Sequence, residues 1–441
     1  MKRFFLIISF FFPTILWAQD KTEELESALE GLRASYEETK TTVDKLNKIK
    51  ISGYIQAQYQ HADSNGAATV AGGDFPSQSM NRLMIRRGRL KVAYKGNYTG
   101  YVLQLDATEK GFELKDAYIT LTEPLFKTVT LQGGIFNRPF GYEIERSSSS
   151  RETPERSRLF QTLFPGERDM GVALEVKSEE GIFSYINAKG GWFNGTRNNV
   201  PENDNNKDFI GKINFKLPID RENGMELDFG FSTYQGKVVR DYQSLPSVSS
   251  TSIGLVNNTA VIVPSVSTPV RCYTYEVQGG TYVKTDSSWY PSVKRQYYGG
   301  DFQLYIPYAG GTKILGEYIT GIQPGTKNSS SYYSPGSGNL YLRKFQGYYL
   351  TLVQNIGTRF QLVGRYDVYD PNTAVSGNEV KTTGDIRFVT LGGGLIFWYD
   401  ANLNFTAYFD RVMNEKTNGR GPMYANDLKD NVFTLRMQYK F

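Results

Sequence analysis

Apolar and polar residues alternate with period two along much of the chain, most cleanly at its end. In 431–441, Phe433, Leu435, Met437, Tyr439 and Phe441 share one face, and Thr434, Arg436, Gln438 and Lys440 share the other. A strand has this period. Such a strand suits a soluble sheet with one face on a core, or a membrane strand with lipid on one side and water on the other. The segment has about the ten-residue length of a spanning strand.

The same reading places sixteen strands, at 50–60, 81–95, 100–108, 112–122, 127–136, 169–178, 183–194, 207–217, 224–236, 295–306, 311–322, 345–355, 358–369, 385–398, 402–412 and 431–441. In 358–369, Phe360, Leu362, Tyr366 and Val368 oppose Arg359, Gln361, Arg365 and Asp367; 385–398 alternates poorly. The connections decide between the two settings. Long ones (61–80, 137–168, 195–206, 237–294, 323–344, 370–384, 413–430) alternate with short ones, and the link at 109–111 is the exception. A soluble sandwich has no reason to segregate its loops in this way, whereas a barrel in an outer membrane has short turns at one rim and long loops at the other. The expected fold is therefore all-β: a 16-stranded antiparallel transmembrane β-barrel over 51–441. The even strand number puts both chain ends on the short-turn side.

The first fifty residues follow other patterns. Lys2 and Arg3 precede an apolar stretch, Phe4 to Trp17, with Ala18 before Gln19, which reads as a signal peptide over 1–18. In 19–50, Leu25, Leu32, Thr39 and Leu46 fall seven apart, as do Leu29, Tyr36 and Val43. That is a narrow a/d seam with charged flanks, which points to a periplasmic coiled-coil helix and hence to a homo-oligomer. A lone amphipathic helix packed on the barrel is the alternative.

Composition narrows the class further. Hydrophobic residues are 39%, yet there are 31 Tyr and 27 Phe, as expected when half of each strand faces water and aromatics line the membrane interfaces. The formal charge is +5, of which the leader supplies two, too little to imply nucleic acid as a partner. Cys272 stands alone and forms no internal disulfide. No cofactor or metal is expected. His61 is the one histidine, in the first long loop with no triad-like neighbours, so an enzyme is not expected.

Two clusters carry the candidate chemistry of a channel. On the basic strand 81–95, Arg87, Arg89 and Lys91 share the polar face about 7 Å apart, a ladder along which an anion could step. They could equally pair with Asp116, Glu226, Asp228 or Asp301. The connection 137–168 holds Arg138, Arg146, Arg151, Arg156, Arg158 and Arg168 beside Ser147 to Ser150; folded inward, it would form an oxyanion-binding constriction. Glu143, Glu145, Glu152, Glu155 and Glu167 could neutralise it, and a solvated external loop is the other reading.

The terminal aromatic resembles the recognition signal of outer-membrane proteins. An ordered set of short motifs adds to it: 86–91 (Arg-Arg-Gly-Arg-Leu-Lys), 114–118, 134–141 with Glu143, 164–172, Asn194 with Gly195, 316–318 and 365–368. Together they are similar to the phosphate-selective porin O and P family. The resemblance implies a bacterial cell outer membrane location, a trimer whose third loop narrows the pore, and lumen Arg and Lys residues that guide small anionic, phosphate-like solutes by passive diffusion. The segment 237–294 matches no motif, and an extra hairpin over the mouth is expected there. A structural or adhesive barrel presenting large loops to partners is the competing function.

Overall fold

The structure is a computed structural model; it describes residues 12–178, 180–202, 204–220, 222–239, 252–256, 259–263, 272–288, 292–331, 339–418 and 424–441. Sixteen antiparallel strands close into one barrel. They are β1 (Ile49–Ala62), β2 (Asn81–Lys95), β3 (Thr99–Thr108), β4 (Gly111–Thr122), β5 (Val129–Asn137), β6 (Arg168–Lys177), β7 (Ile186–Phe193), β8 (Asp208–Asp220), β9 (Met225–Val239), β10 (Ser292–Ile306), β11 (Thr312–Gly325), β12 (Leu340–Ile356), β13 (Phe360–Asp370), β14 (Phe388–Trp398), β15 (Leu403–Asn414) and β16 (Val432–Lys440). Each pairs with its neighbour in sequence, and β16 closes on β1 from Tyr54↔Lys440 to Ala62↔Val432. The expected strand count and terminal pairing both hold.

The alternation now has a spatial meaning. On β16, Leu435, Met437 and Tyr439 stand exposed on the outside, while Thr434, Arg436 and Gln438 are buried inside. The same inversion runs along β12 and β13, where Leu350, Leu352, Leu362 and Tyr366 are exposed but Thr351, Arg365 and Asp367 are buried. No helix among the described residues is long and apolar enough to cross a membrane. The apolar outer belt is what a strand-built membrane protein presents to lipid.

The lumen departs from the simple pattern. One side of it is dry. Inward-facing Phe193, Ile210, Tyr234, Tyr297, Ile319, Phe345, Tyr349 and Tyr369, from β7 to β13, form a core with Phe140, Ile144, Leu159, Phe160, Leu163 and Phe164 of the 138–167 connection. The short helix α2 (Arg158–Leu163), capped by the Ser157 side chain, supplies three of these. Two wall glycines make room for it. A Cβ at Gly347 would stand 2.7 Å from Leu159 Cδ1, and one at Gly299 would stand 3.0 Å from the Phe140 ring. Burying each large side chain contributes roughly 1.5–3 kcal/mol, so the inserted loop is held by a core of its own.

At the long-loop rim, the 240–291 connection carries two hairpins, Ser252–Val256 with Thr259–Val263 and Cys272–Gln278 with Thr281–Ser288. The second folds back onto the 371–387 loop, where Tyr282 donates to Asp385 at 2.5 Å and Arg343 pairs with Asp385 at 2.8 Å. At the other rim, helix α1 (Phe12–Asn47) leads into β1. Its expected seam is solvent-facing in the monomer, with Leu32, Tyr36 and Leu46 all more than half exposed. From residue 26 to 47 its described side chains are exposed all round, so none of its faces there is packed on the barrel. The leader expected over 1–18 falls partly on residues 1–11, outside the described residues.

Candidate functional site: a crossing loop and its arginines

The 138–167 connection crosses the lumen. Its first arm is pinned to the dry wall: the Tyr142 and Glu143 amides donate to Glu317 at 2.9 and 2.6 Å, Tyr349 donates to the same carboxylate, and Lys212 donates to the Gly141 carbonyl at 2.7 Å. The serines then reach the opposite wall. Ser148 shares a 2.6 Å hydrogen bond with Tyr54, and Gln438 donates to the Ser149 carbonyl at 3.0 Å. The chain returns through Glu155 before entering α2. The loop thus folds inward, as its composition suggested.

Glu155 is the centre of the crossing. Its carboxylate accepts from Arg86 (2.9 and 3.0 Å), from Arg87 (3.2 and 2.7 Å) and from Arg436 (2.9 Å). Arg436 also donates to the Pro154 carbonyl at 2.7 Å, and Arg365 reaches across from β13 to the Glu155 carbonyl at 3.0 Å. Burial alone would raise the Glu155 carboxyl, but Arg86, Arg87 and Arg436 hold it well below the usual carboxylate range.

Two consecutive arginines reach one carboxylate because β2 is irregular. The β1–β2 register slips between Gln56 and Ala57, so that Gln56 faces Arg87 and Ala57 faces Ile85. The extra residue of such a bulge is Arg86, and the local bend turns it towards the lumen beside Arg87. Strict alternation would have put Arg86 in lipid.

The predicted ladder is therefore mostly paired. Arg87 meets Glu155 and Arg89 meets Asp106 at 3.0 Å. Neither meets the carboxylates that alternation suggested; Asp116 pairs instead with Arg168 at 2.8 Å. Lys91, one step further along β2, makes no ion pair among the described residues.

The six loop arginines have different positions. Arg138 is fully buried, donates to the Glu167 and Pro165 carbonyls and lies over the Phe164 ring. Arg156 ties the loop to itself through the Glu143, Ile144 and Arg146 carbonyls and through Glu167. Arg168 bridges Asp116 and Glu167. Arg146 pairs with Glu152 at 2.6 Å. The Arg158 guanidinium lies 4.0 Å over Phe388, and its Nε and Nη2 have no hydrogen-bond partner among the described residues. Arg151 is the most exceptional: all three guanidinium nitrogens are buried, and none has such a partner. Burial, then repulsion from Arg156 and Arg87, pushes it well below its ordinary value.

The crossing leaves a cavity on each side. The outer one, ≈ 380 Å³ towards the long loops, is of mixed charge: Arg86, Arg87, Arg89, Lys110, Lys115 and Arg156 stand with Asp106, Glu109, Glu113, Glu155 and Glu167. The inner one, ≈ 280 Å³ towards the short turns, holds Arg146, Arg151, Lys313, Arg436 and Lys440 against Glu152 alone. The Glu155 cluster is the partition: Glu155 and Arg87 line the outer cavity, and Arg436 lines the inner one. Such an arrangement can strip part of an anion's hydration shell and replace it with guanidinium donors. Arg86, Arg436 and Lys440 were not among the predicted site residues. The alternation already places Arg436 and Lys440 inside, but only the loop's path brings Arg436 to Glu155. His61 sits at the exposed rim and shares a hydrogen bond with Asn81.

Comparison with known proteins agrees with the architecture. No curated protein matches the sequence. Among solved structures, the anion-selective porin from Comamonas acidovorans aligns with TM-score 0.51 and 11% identity, over 89% of this chain and 99% of that one. The outer membrane channel DcaP of Acinetobacter baumannii gives 0.53 and 13%, over 89% and 97%. Pseudomonas putida OprB gives 0.52 and 8%, over 91% and 96%. At these identities the likeness establishes a shared fold. Residues 49–239, from β1 to the end of β9 and including the crossing loop, match the phosphate-selective porin O and P family, so the resemblance read from the motifs holds over that part of the barrel.

Proposed function

We propose that this chain is an outer-membrane porin through which small anionic solutes diffuse passively. The observation that carries the reading is the set of guanidinium groups on the two sides of the partition: Arg89, Arg87 and Arg86 on the outer side, Arg436, Arg151 and Arg146 on the inner. The inner cavity, with five cations against one carboxylate, favours anions over cations electrostatically. The family match supports the reading, as does the anion selectivity stated for the Comamonas porin. Arg87, Arg89 and Lys91 are the wall residues of the path, and Arg146 and Arg151 are its loop residues. Arg138, Arg156 and Arg168 act by holding the loop.

The decisive experiment is reversal potential across a planar bilayer under a salt gradient. Preference for chloride over potassium is expected; preference for potassium would overturn the reading. The dry core beside the loop confines flow to one side of the lumen, so conductance should be well below that of an open sixteen-stranded pore.

The short-turn rim faces the periplasm in this reading, the leader over 1–18 is removed on export, and the helix carries the assembly. Its exposed heptad seam supports a homotrimer joined by a coiled coil. Deleting 21–47 should lower the oligomer mass on a sizing column in mild detergent; an unchanged mass would leave the barrels as the whole interface.

A further inference from the structure

Glu155 occupies the point of the crossing on which the guanidinium groups converge. Five hydrogen bonds from three arginines, two strands apart across the β1–β16 seam, converge on its two oxygens. It is buried, and it stands between the two cavities. Next to it, the Arg151 guanidinium has no hydrogen-bond partner among the described residues. A carboxylate and a tetrahedral oxyanion compete for guanidinium forks by the same geometry.

We propose that Glu155 is a built-in competitor: a tethered carboxylate that holds Arg86, Arg87 and Arg436 together and sets how tightly the partition binds oxyanions. The proposal rests on the anion-channel reading above. An arriving oxyanion takes over guanidinium hydrogen bonds from Glu155, and Arg151 supplies donors that Glu155 leaves unused. When the anion leaves, the carboxylate returns. Binding is thereby kept weak enough for release, which conduction requires. Glu155 is in this sense a positioning and specificity residue, acting on the solute through the arginines.

The test is block of chloride current by inorganic phosphate in the full-length channel, compared between wild type, Glu155→Gln and Glu155→Asp. Glutamine keeps the shape and removes the charge. The half-blocking phosphate concentration should fall by about tenfold, equivalent to about 1.4 kcal/mol. Aspartate, a methylene shorter, should fall between the two, and it carries the test by itself if the glutamine variant does not assemble. A purely structural Glu155 would alter yield or noise and leave the half-block where it was. Unchanged or weaker block in the variants overturns the proposal while leaving an anion-selective wild type intact. A wild type that prefers cations overturns the channel reading and this inference together.

Discussion

The two sides of the lumen are built from the same alternating strands and do opposite things. From β7 to β13 a cluster of inward aromatic and aliphatic residues seals against Phe140, Phe160 and Phe164, with buried polar residues such as Lys212, Glu317 and Arg365 around it. From β16 through β4 they are Gln, Arg, Lys and Asp, with Gln56, Gln58, Arg87, Arg89, Asp106 and Arg436 all buried among one another. One loop serves both. Its apolar residues face the dry wall, whereas Ser148, Ser149 and Glu155 face the wet one. A wide barrel can therefore be narrowed without any change in its strands, by anchoring a segment on one side and aiming its polar edge at the other. Stability and pore size should follow the dry side, and ion preference the wet side.

The separation can be broken most severely at Phe164, whose ring packs against Phe140, Phe160, Tyr234 and Tyr297. Phe164→Ala should cost about 3–5 kcal/mol of barrel stability. Thermal unfolding followed by electrophoretic mobility reads the loss, and conductance should rise while ion preference persists. If selectivity collapses with the core, the two sides are not separable.

The converse change is Arg87→Gln with Arg436→Gln. Reversal potential should move towards zero with little change in conductance. The midpoint of thermal unfolding should fall less than for Phe164→Ala, because Arg86 still meets Glu155. An unmoved reversal potential would make the wet side a structural network only.

Arg151→Ala sharpens the contrast by its sign. Removing a buried cation that has no hydrogen-bond partner among the described residues should raise stability by about 1 kcal/mol or more, since Glu155 and Glu143 only partly offset its desolvation. The same variant should weaken phosphate block. Lower stability would mean that Arg151 holds the loop.

Gly347→Ala probes the dry side gently. The added methyl meets Leu159, and overpacking of this kind costs about 1–3 kcal/mol. A shift of α2 should appear as broadened conductance levels.

The smallest effect concerns pH. Asp430, in the loop before β16, has its carboxyl pushed up to about 6 by burial, partly offset by Arg158. A raised carboxyl favours the neutral form in the fold, so its contribution to stability is full below the unfolded value near 4 and is lost as pH rises through 6. Between pH 7 and 5 the mouth should lose negative charge and anion preference should increase slightly. Asp430→Asn should reduce the change.

Strand positions and closure could be read from the sequence because lipid and water impose them on every other residue. The pattern misled where something inside the barrel replaced water. Ile210, Tyr234 and Tyr297 look misplaced as inward residues until the loop is there to cover them. Arg86 is hidden for a different reason, since a one-residue bulge breaks the parity on which the reading rests. The partner of the ladder was invisible too. Glu155 lies 68 residues from Arg87 and 281 from Arg436. No local pattern links positions so far apart, so a basic strand looks like a free ladder when it is mostly matched. The helix shows the reverse limit: a seam is plain in its heptads, yet a single chain leaves it uncovered.

The serine contacts have a consequence for how the barrel is sealed. β1 and β16 form the pairing with the widest sequence separation in the molecule, and the Gln56–Gln438 hydrogen bond at 2.6 Å spans 382 positions. Ser148 grips Tyr54 on one side of this junction, while Ser149 and Glu155 grip Gln438 and Arg436 on the other. The crossing loop is thus a bolt across the joint that closes the barrel, tying the first strand to the final one from within.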